Sequence, residues 1–262
     1  MKLSVIIVNY NSAALTKACI ESILSHPQPS SIEIIVVDNG SQDSGASFLR
    51  ADFPDVTFII NKENRGLAAA VNQAVRTAAG DYFLLLNPDI VVLDDAISQL
   101  VAFMDANQKV GVSGGKLLSP NGQLQYSCFR FYKPLTVIFR RTWLGKTRWG
   151  QRENARFLMQ DFDHAQVRDV DWLMGSCLML RADAVKEVGG MDERFFLYFE
   201  DVDWCRRFWK AGWRVTWVPQ ARFSHFHQRS SRKHALFGLL SNWAAREHIR
   251  SAVKYFSKYG IT

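Results

Sequence analysis

The 262 residues hold 32 Lys+Arg against 25 Asp+Glu, with 48% hydrophobic and 22% charged positions. That balance gives ample material for a core and excludes a disordered or fibrous chain. The surplus of positive charge is local: from Asp201 onward there are 12 Lys+Arg and 3 Asp+Glu, while the preceding residues carry 20 and 22. Such an end favours an anionic partner (a diphosphate, a lipid head group or a nucleic acid) or is a solvated basic face. Four cysteines, at 19, 128, 177 and 205, lack metal-ligand or redox spacing and read as reduced thiols of a cytosolic protein. The opening apolar run is too short for a signal peptide, and no run approaches the ~20 apolar residues of a bilayer span. Any membrane link is therefore expected to be peripheral.

Up to about residue 110, strand and helix patterns alternate. Residues 3–8 form an apolar strand ending in Asn9-Tyr10-Asn11, and residues 14–25 a helix stopped by Pro27. A second buried strand, 32–37, ends in Asp38-Asn39-Gly40-Ser41. A short helix near 44–50 leads to strand 56–60, closed by Asn61. Asn64-Arg65-Gly66 opens a helix that runs to Ala79. Next comes Tyr82-Phe83-Leu84-Leu85-Leu86, a strand buried on both faces, which Asn87-Pro88-Asp89 ends abruptly because proline removes a ladder donor. This order predicts an α/β fold with a parallel, doubly wound sheet, whose Asn- and Asp-bearing strand ends share one edge. Ligands bind at that edge in open α/β sheets. A carboxylate held there, Asp89, suits a hard divalent cation. The competing reading makes Asp89 the cap of a helix beginning near Asp94.

The second half is less regular. A helix near 94–106 and a strand at 110–114 precede a hairpin turn at Pro120-Asn121-Gly122. Residues 129–157 mix eight Lys and Arg with Phe131, Tyr132, Phe139, Trp143 and Trp149, and predict a mobile lid or an interfacial segment outside the core. A strand from Trp172 is broken at Gly175-Ser176, and Gly189-Gly190 ends a short helix. Phe199-Glu200-Asp201 leads a helix that Gly212 closes, and a last strand, 214–218, is expected to stop at Pro219. The tail, about 241–259, reads as a helix with Ile249, Ala252, Val253 and Phe256 on one side and Arg246, Arg250, Lys254 and Lys258 along another.

Val8-Asn9-Tyr10-Asn11, Val37-Asp38-Asn39-Gly40-Ser41, Asn64-Arg65-Gly66 with Asn72, Leu86-Asn87-Pro88-Asp89 and Phe199-Glu200-Asp201 occur in the order seen in glycosyltransferase family 2. The chain resembles that family of inverting enzymes over nearly its whole length, and within it a bacterial rhamnosyltransferase-like subgroup. The resemblance implies a GT-A fold: a Rossmann-like, mostly parallel sheet flanked by helices. Residues 1–225 would form the catalytic domain, with a nucleotide-binding half (1–110) and an acceptor half (111–225), followed by a basic helical extension (226–262).

It also implies roles. Asp38 would accept a hydrogen bond from a pyrimidine ring, Asn9, Tyr10 and Asn11 would line base and ribose, and Asn39, Asn64, Arg65, Gly66, Asn72 and Asn87 would sit at the nucleotide sugar. Asn87-Pro88-Asp89 stands where many relatives carry Asp-x-Asp, which leaves Asp89 as the main ligand for Mg²⁺ or Mn²⁺, with His225 as its partner and His227 nearby. Arg229, with Ser230 and Ser231, would clamp the diphosphate. Asp201 matches the general base, with Glu200 competing; a helix start would fix Asp201 yet lower its basicity. Trp172, Gly175 and Ser176 would wall the acceptor side, or Trp172 is ordinary core. The implied activity moves a sugar, best L-rhamnose from dTDP-L-rhamnose, to a glycan or lipid-diphosphate-linked acceptor in bacterial cell-surface polysaccharide synthesis, at the inner face of the membrane. A UDP-hexose or UDP-N-acetylhexosamine donor is the alternative, and a non-catalytic module for anionic surfaces or nucleic acid the alternative of another class. Against a nucleic acid stand the carboxylates of Asp38, Asp89, Glu200 and Asp201.

Overall fold

The computed structural model describes residues 2–27, 31–43, 45–226 and 243–260. The first four strands, β1 (Lys2–Asn9), β2 (Ser31–Asp38), β3 (Thr57–Ile60) and β4 (Tyr82–Leu86), lie in the order β3-β2-β1-β4 and run parallel. Side chains alternate across the pleat, so each strand feeds two cores. Leu3, Val5, Ile7, Leu84 and Leu86 pack with Cys19, Ile20 and Ile23 of α1 (Ala13–Leu24) on one face. Ile6, Phe83 and Leu85 pack with Ala68, Ala70, Val71 and Ala74 of α3 (Leu67–Thr77) on the other. Burying each such Leu or Ile contributes about 1.5–3 kcal/mol, so the strand centres are held by apolar side chains on both faces. Helix α2 (Gly45–Asp52) packs beside α1. Because the chain crosses from β3 back past β1 to reach β4, the topological switch lies between β1 and β4.

The parallel order stops there, as in a mostly parallel sheet. The sheet continues through β11 (Cys177–Arg181), β6 (Val110–Leu118), β12 (Arg214–His225) and β5 (Ile90–Val92), and β11 runs antiparallel to both β4 and β6. Strand β12 is parallel to β6 and antiparallel to β5. The hairpin at Pro120-Asn121-Gly122 joins β6 to β7 (Leu124–Gln125), with Gly122 at φ +79°. Helix α4 (Ala96–Ala106) starts after β5, so Asp89 precedes a strand and is not its cap. Strand β12 does not stop at Pro219. Its pairing with β6 slips between Val218 and Arg222, and the bulge takes up a proline that cannot donate to a ladder. The strand thereby carries His225 to the edge where Asp89 lies.

Residues 129–157 are not a detached lid. They form β8 (Cys128–Phe129), α5 (Pro134–Arg141), a 3-10 turn (Trp143–Lys146) and α6 (Arg148–Phe157). Both ends of the segment are core, with Phe129 stacked on Phe157 at 5.2 Å and on Trp172 at 4.4 Å. Arg156 pairs with Glu153 at 2.6 Å, which takes one cation out of the basic run. The outer side keeps Trp143 and Trp149 exposed. Trp172 begins β10 (Trp172–Leu173), which pairs with β8, while a short β9 (Arg168–Asp169) edges β12.

Helices α7 (Ala182–Val188) and α8 (Glu200–Lys210) follow β11. The tail helix, α9 (Trp243–Tyr259), joins the same core through Ala252 and Tyr255, and Ser251 Oγ donates to Leu197 O at 2.9 Å. Part of its basic stripe is structural: Lys258 Nζ lies 2.7 Å from both Asp192 and Asp203, and Lys254 Nζ donates to Arg194 O at 2.6 Å. All four cysteines are buried and free, and burial pushes their thiols up, so they are inert packing groups.

Candidate active site

The strand register sets the order of groups along the sheet edge. Asp38 pairs across from Asn9, Ile7 from Leu86, and Leu86 from Cys177. The residues just beyond, Asp38, Asn9, Asn87 and Ser176, therefore stand side by side, and Asn87 N donates to Ser176 O at 2.9 Å. Asn9 Nδ2 donates to Asp38 Oδ2 at 2.7 Å, and Ser41 N donates to Asp38 Oδ1 at 2.9 Å. A carboxylate has about four acceptor positions, so Asp38 keeps capacity for a ligand N–H. Asn11 N donates to Ser41 Oγ at 2.9 Å, which folds the Asn9-Tyr10-Asn11 turn over Asp38 and leaves Tyr10 46% exposed.

Two of the expected nucleotide residues prove to be scaffolding. Asn39 is buried, donates to Asn64 Oδ1 at 3.0 Å and Gly66 O at 3.2 Å, and accepts from Asn61 Nδ2 and Arg65 N at 3.1 Å each. It ties the strand ends to the 61–66 turn. Asn72 donates to Met191 O and accepts from Met191 N, both at 2.8 Å, so its amide anchors a neighbouring loop. Asn64 Oδ1 also accepts from Gly66 N at 2.9 Å, and Arg65 is exposed. Gly66 sits at φ +83°, where a Cβ would meet Phe196 O at 2.8 Å; only glycine fits, and the contact brings the 195–201 stretch against the start of α3.

At the end of β4, Asp89 meets His225. Asp89 Oδ2 lies 3.4 Å from His225 Nε2, and Asp89 O accepts from Phe226 N at 2.9 Å. Gln125 fixes the imidazole. Its Nε2 donates to His225 O at 2.9 Å, so its Oε1 faces His225 Nδ1, also at 2.9 Å, as an acceptor. Nδ1 is therefore the protonated nitrogen, and Nε2 turns towards the carboxylate. An imidazole so oriented beside an oxygen ligand, with a carboxamide behind it, has the donor set and outer partner of a divalent-cation site. Among the described residues no cluster of three His, Cys, Asp or Glu side chains forms.

Asp201 completes the row. Gly175 N donates to its Oδ2 at 2.9 Å and Val202 N to its Oδ1 at 2.8 Å. It lies in the first turn of α8, which starts one residue before it. Tyr198 and Phe199, both at φ +69°, present it; left-handed backbone at two bulky residues is strain of the kind that collects at functional sites. The expected loss of basicity does not occur. Burial outweighs the amide hydrogen bonds and pushes Asp201 up to about 6. Glu200 is buried with its Oε2 unpartnered, and burial together with the Asp201 charge raises it well above the usual carboxylate range. Glu200 is then the protonated member and Asp201 the available base near neutral pH.

The folded pair holds protons that the unfolded chain releases, so it costs stability as pH rises from the ordinary Asp value of 3.8 through about 6. Glu200→Gln removes the share of that cost that Glu200 carries. Its melting temperature at pH 8 should exceed that of the wild type, while transfer stays within about tenfold; a 10²–10⁴-fold loss would instead make Glu200 the base.

Trp172 is 5% exposed, its Nε1 donates to Arg130 O at 3.0 Å, and its ring stacks within the aromatic core, which supports the site from behind. Ser176 is buried, and its Oγ has no hydrogen-bond partner among the described residues. Arg229, with His227, Ser230 and Ser231, lies outside the described residues. Sequence reasoning missed Ser41 as the clasp of Asp38 and Gln125 as the support of His225. Gln125 carries no local signal, since only the register of β7 on β6 brings it there.

Residues 4–189 match the family model described as glycosyl transferase family 2. The chain is 30% identical over 211 residues to N-acetylglucosaminyl-diphospho-decaprenol L-rhamnosyltransferase of Mycobacterium tuberculosis, covering 76% of this chain and 68% of that protein. It is 25% identical over 199 residues to rhamnosyltransferase WbbL of Escherichia coli, covering 76% and 70%. Among solved structures, the mannosyltransferase PcManGT from Pyrobaculum calidifontis, in complex with GDP-Man and Mn²⁺, aligns with a TM-score of 0.61 at 18% identity, over 96% of this chain and 64% of that one. GalNAc-T7 with UDP, GalNAc and Mn²⁺ aligns with a TM-score of 0.63 at 15% identity, over 86% and 44%. At those identities the two likenesses establish the fold, and this chain spans less than two thirds of either.

Proposed function

The chain belongs to glycosyl transferase family 2, and from that premise we propose that it moves L-rhamnose from dTDP-L-rhamnose, with inversion, to a glycan or lipid-diphosphate-linked acceptor in bacterial cell-surface polysaccharide synthesis. The observation that carries the reading is the unbroken row Asp38, Asn9, Asn87, Ser176, Gly175 and Asp201, with the Asp89–His225 pair at the foot of β4. Rhamnose is favoured by the names of the relatives at 30% and 25% identity.

Asp38 and the Asn9-Tyr10-Asn11 turn hold the base and ribose at one end of the row. Asp89 and His225 would hold Mg²⁺ or Mn²⁺, as manganese accompanies the nucleotide ligands of the two solved structures. The cation would supply charge neutralisation for the departing nucleoside diphosphate. Asp201 takes the proton of the acceptor hydroxyl as its oxygen bonds to the anomeric carbon. On the opposite face the bond from that carbon to the phosphate oxygen breaks, and the electron pair leaves with the diphosphate. No second catalytic carboxylate is needed, which fits a Glu200 kept protonated. We also infer a peripheral position at the cytoplasmic membrane face, supported by the exposed Trp143 and Trp149 among Lys146, Arg148 and Arg152. No helix among the described residues is long and apolar enough to cross a membrane.

The test is a panel of nucleotide sugars with Mg²⁺ or Mn²⁺ and a lipid-diphosphate-linked sugar as acceptor. Turnover of dTDP-L-rhamnose above the UDP-hexoses and UDP-N-acetylhexosamines is expected. Consumption of a UDP-sugar alone would replace the donor assignment.

A further inference from the structure

Between α5 and α9 the surface opens into a groove of about 450 Å³, lined by Pro134, Val137, Ile138, Ile249, Val253 and Phe256. That volume falls within the roughly 300–1,000 Å³ of small-molecule sites. Ile138 and Val253 are 44% and 60% exposed, so the groove presents apolar surface to whatever enters it. Arg140 and Arg141 close α5 one turn beyond Val137 and Ile138, and Arg140 lies over the Phe157 ring at 4.8 Å. On the facing helix His248 precedes Ile249. It is buried, and its Nδ1 has no hydrogen-bond partner among the described residues. Its ring is 5.2 Å from those of both Tyr198 and Phe199 and 6.5 Å from Tyr132, which itself packs 4.7 Å from Phe199. Phe199 leads directly into Glu200 and Asp201. The arginines that close α5 thus lie near His248, whose ring contacts lead to the start of α8. Burial, then the charges of Arg141 and Arg140, hold the His248 imidazole neutral, at about 3.

We propose that this groove seats the hydrocarbon chain of the acceptor, with Arg140 and Arg141 receiving its diphosphate and His248 a polar contact on the way to Asp201. The inference rests on the lipid-diphosphate reading of the acceptor given above. Two features favour a single chain over the face of a bilayer: the surface is concave, and the two arginines that end α5 are gathered beside it. The charges match as well, since an amphiphile with an anionic head and an apolar tail meets guanidinium groups and aliphatic walls in that order.

The full chain, without divalent metal, is titrated with farnesyl diphosphate, inorganic diphosphate, farnesol and phosphatidylglycerol vesicles. Farnesyl diphosphate should bind at least about tenfold more tightly than inorganic diphosphate, because only it fills the groove. Val253→Asp, at an exposed position that leaves folding intact, should remove about tenfold of that preference by placing a charge on the wall. Arg140→Gln with Arg141→Gln should weaken both diphosphates and leave farnesol unchanged. Equal affinities for the two diphosphates, an unchanged preference in Val253→Asp, or a loss confined to vesicle binding would each overturn the proposal. Metal-dependent binding of dTDP is read separately after Mn²⁺ is added to the same preparations: its absence in the wild type would sink the transferase reading and leave the groove result legible.

Discussion

Asp201→Asn should lower transfer by about 10²–10⁴-fold while metal-dependent binding of the nucleoside diphosphate persists. Asparagine keeps the shape but offers one acceptor oxygen to the two amides, Gly175 N and Val202 N, so the variant loses proton acceptance together with one hydrogen bond at the α8 start. The pH profile sharpens the test. Asp201 must be ionised to act, and burial beside Glu200 sets it at about 6. The kcat/KM of the wild type should therefore rise with pH through a midpoint near that value, and the residual rate of Asp201→Asn should lack the limb. A variant that transfers at the wild-type rate, or keeps the same acidic limb, would remove Asp201 from the mechanism.

Asp89→Ala carries the second large effect. Alanine leaves His225 without the carboxylate 3.4 Å from its Nε2, and a lone imidazole is a poor partner for Mg²⁺. Calorimetric titration with nucleoside diphosphate and Mn²⁺ should show the metal-dependent part of binding abolished, and turnover should fall by at least about 10²-fold, since offsetting charge on a leaving phosphate is worth several kcal/mol. Gln125→Ala should give a graded version, with about 10–100-fold weaker metal affinity, because the imidazole loses the group that sets its tautomer and angle. Nucleotide affinity that is the same with manganese, with chelator and in Asp89→Ala would exclude this pair as a cation site.

Much of the first half was legible because its rules are local. Five apolar residues followed by Asn87-Pro88-Asp89 can only be a buried strand that stops, and the repeated Asn and Asp at strand ends point to one edge. The antiparallel β11 was not legible, since Cys177–Arg181 reads equally well in either direction and only its neighbours β4 and β6 decide. Pro219 misled for a related reason: a proline ends a regular ladder, but the bulge before Arg222 absorbs it. The basic charges of residues 129–157 suggested exposure, whereas Phe129 and Phe157 at the two ends settle the segment into the core. At Asp201 the sequence showed a helix start, which lowers a carboxyl, and concealed the burial that raises it further.

The pairing of β12 with β5 places His225 opposite Ile90, the residue after Asp89. Ligands so far apart in the chain meet only when two distant strands have docked, an encounter that carries the loop-closure cost of high contact order. A polypeptide emerging from the ribosome can finish the β3-β2-β1-β4 half and still lack any grip on a cation until β12 arrives. The Asp89–His225 pair is thereby tied to a long-range step of folding, because neither strand end carries both of its members.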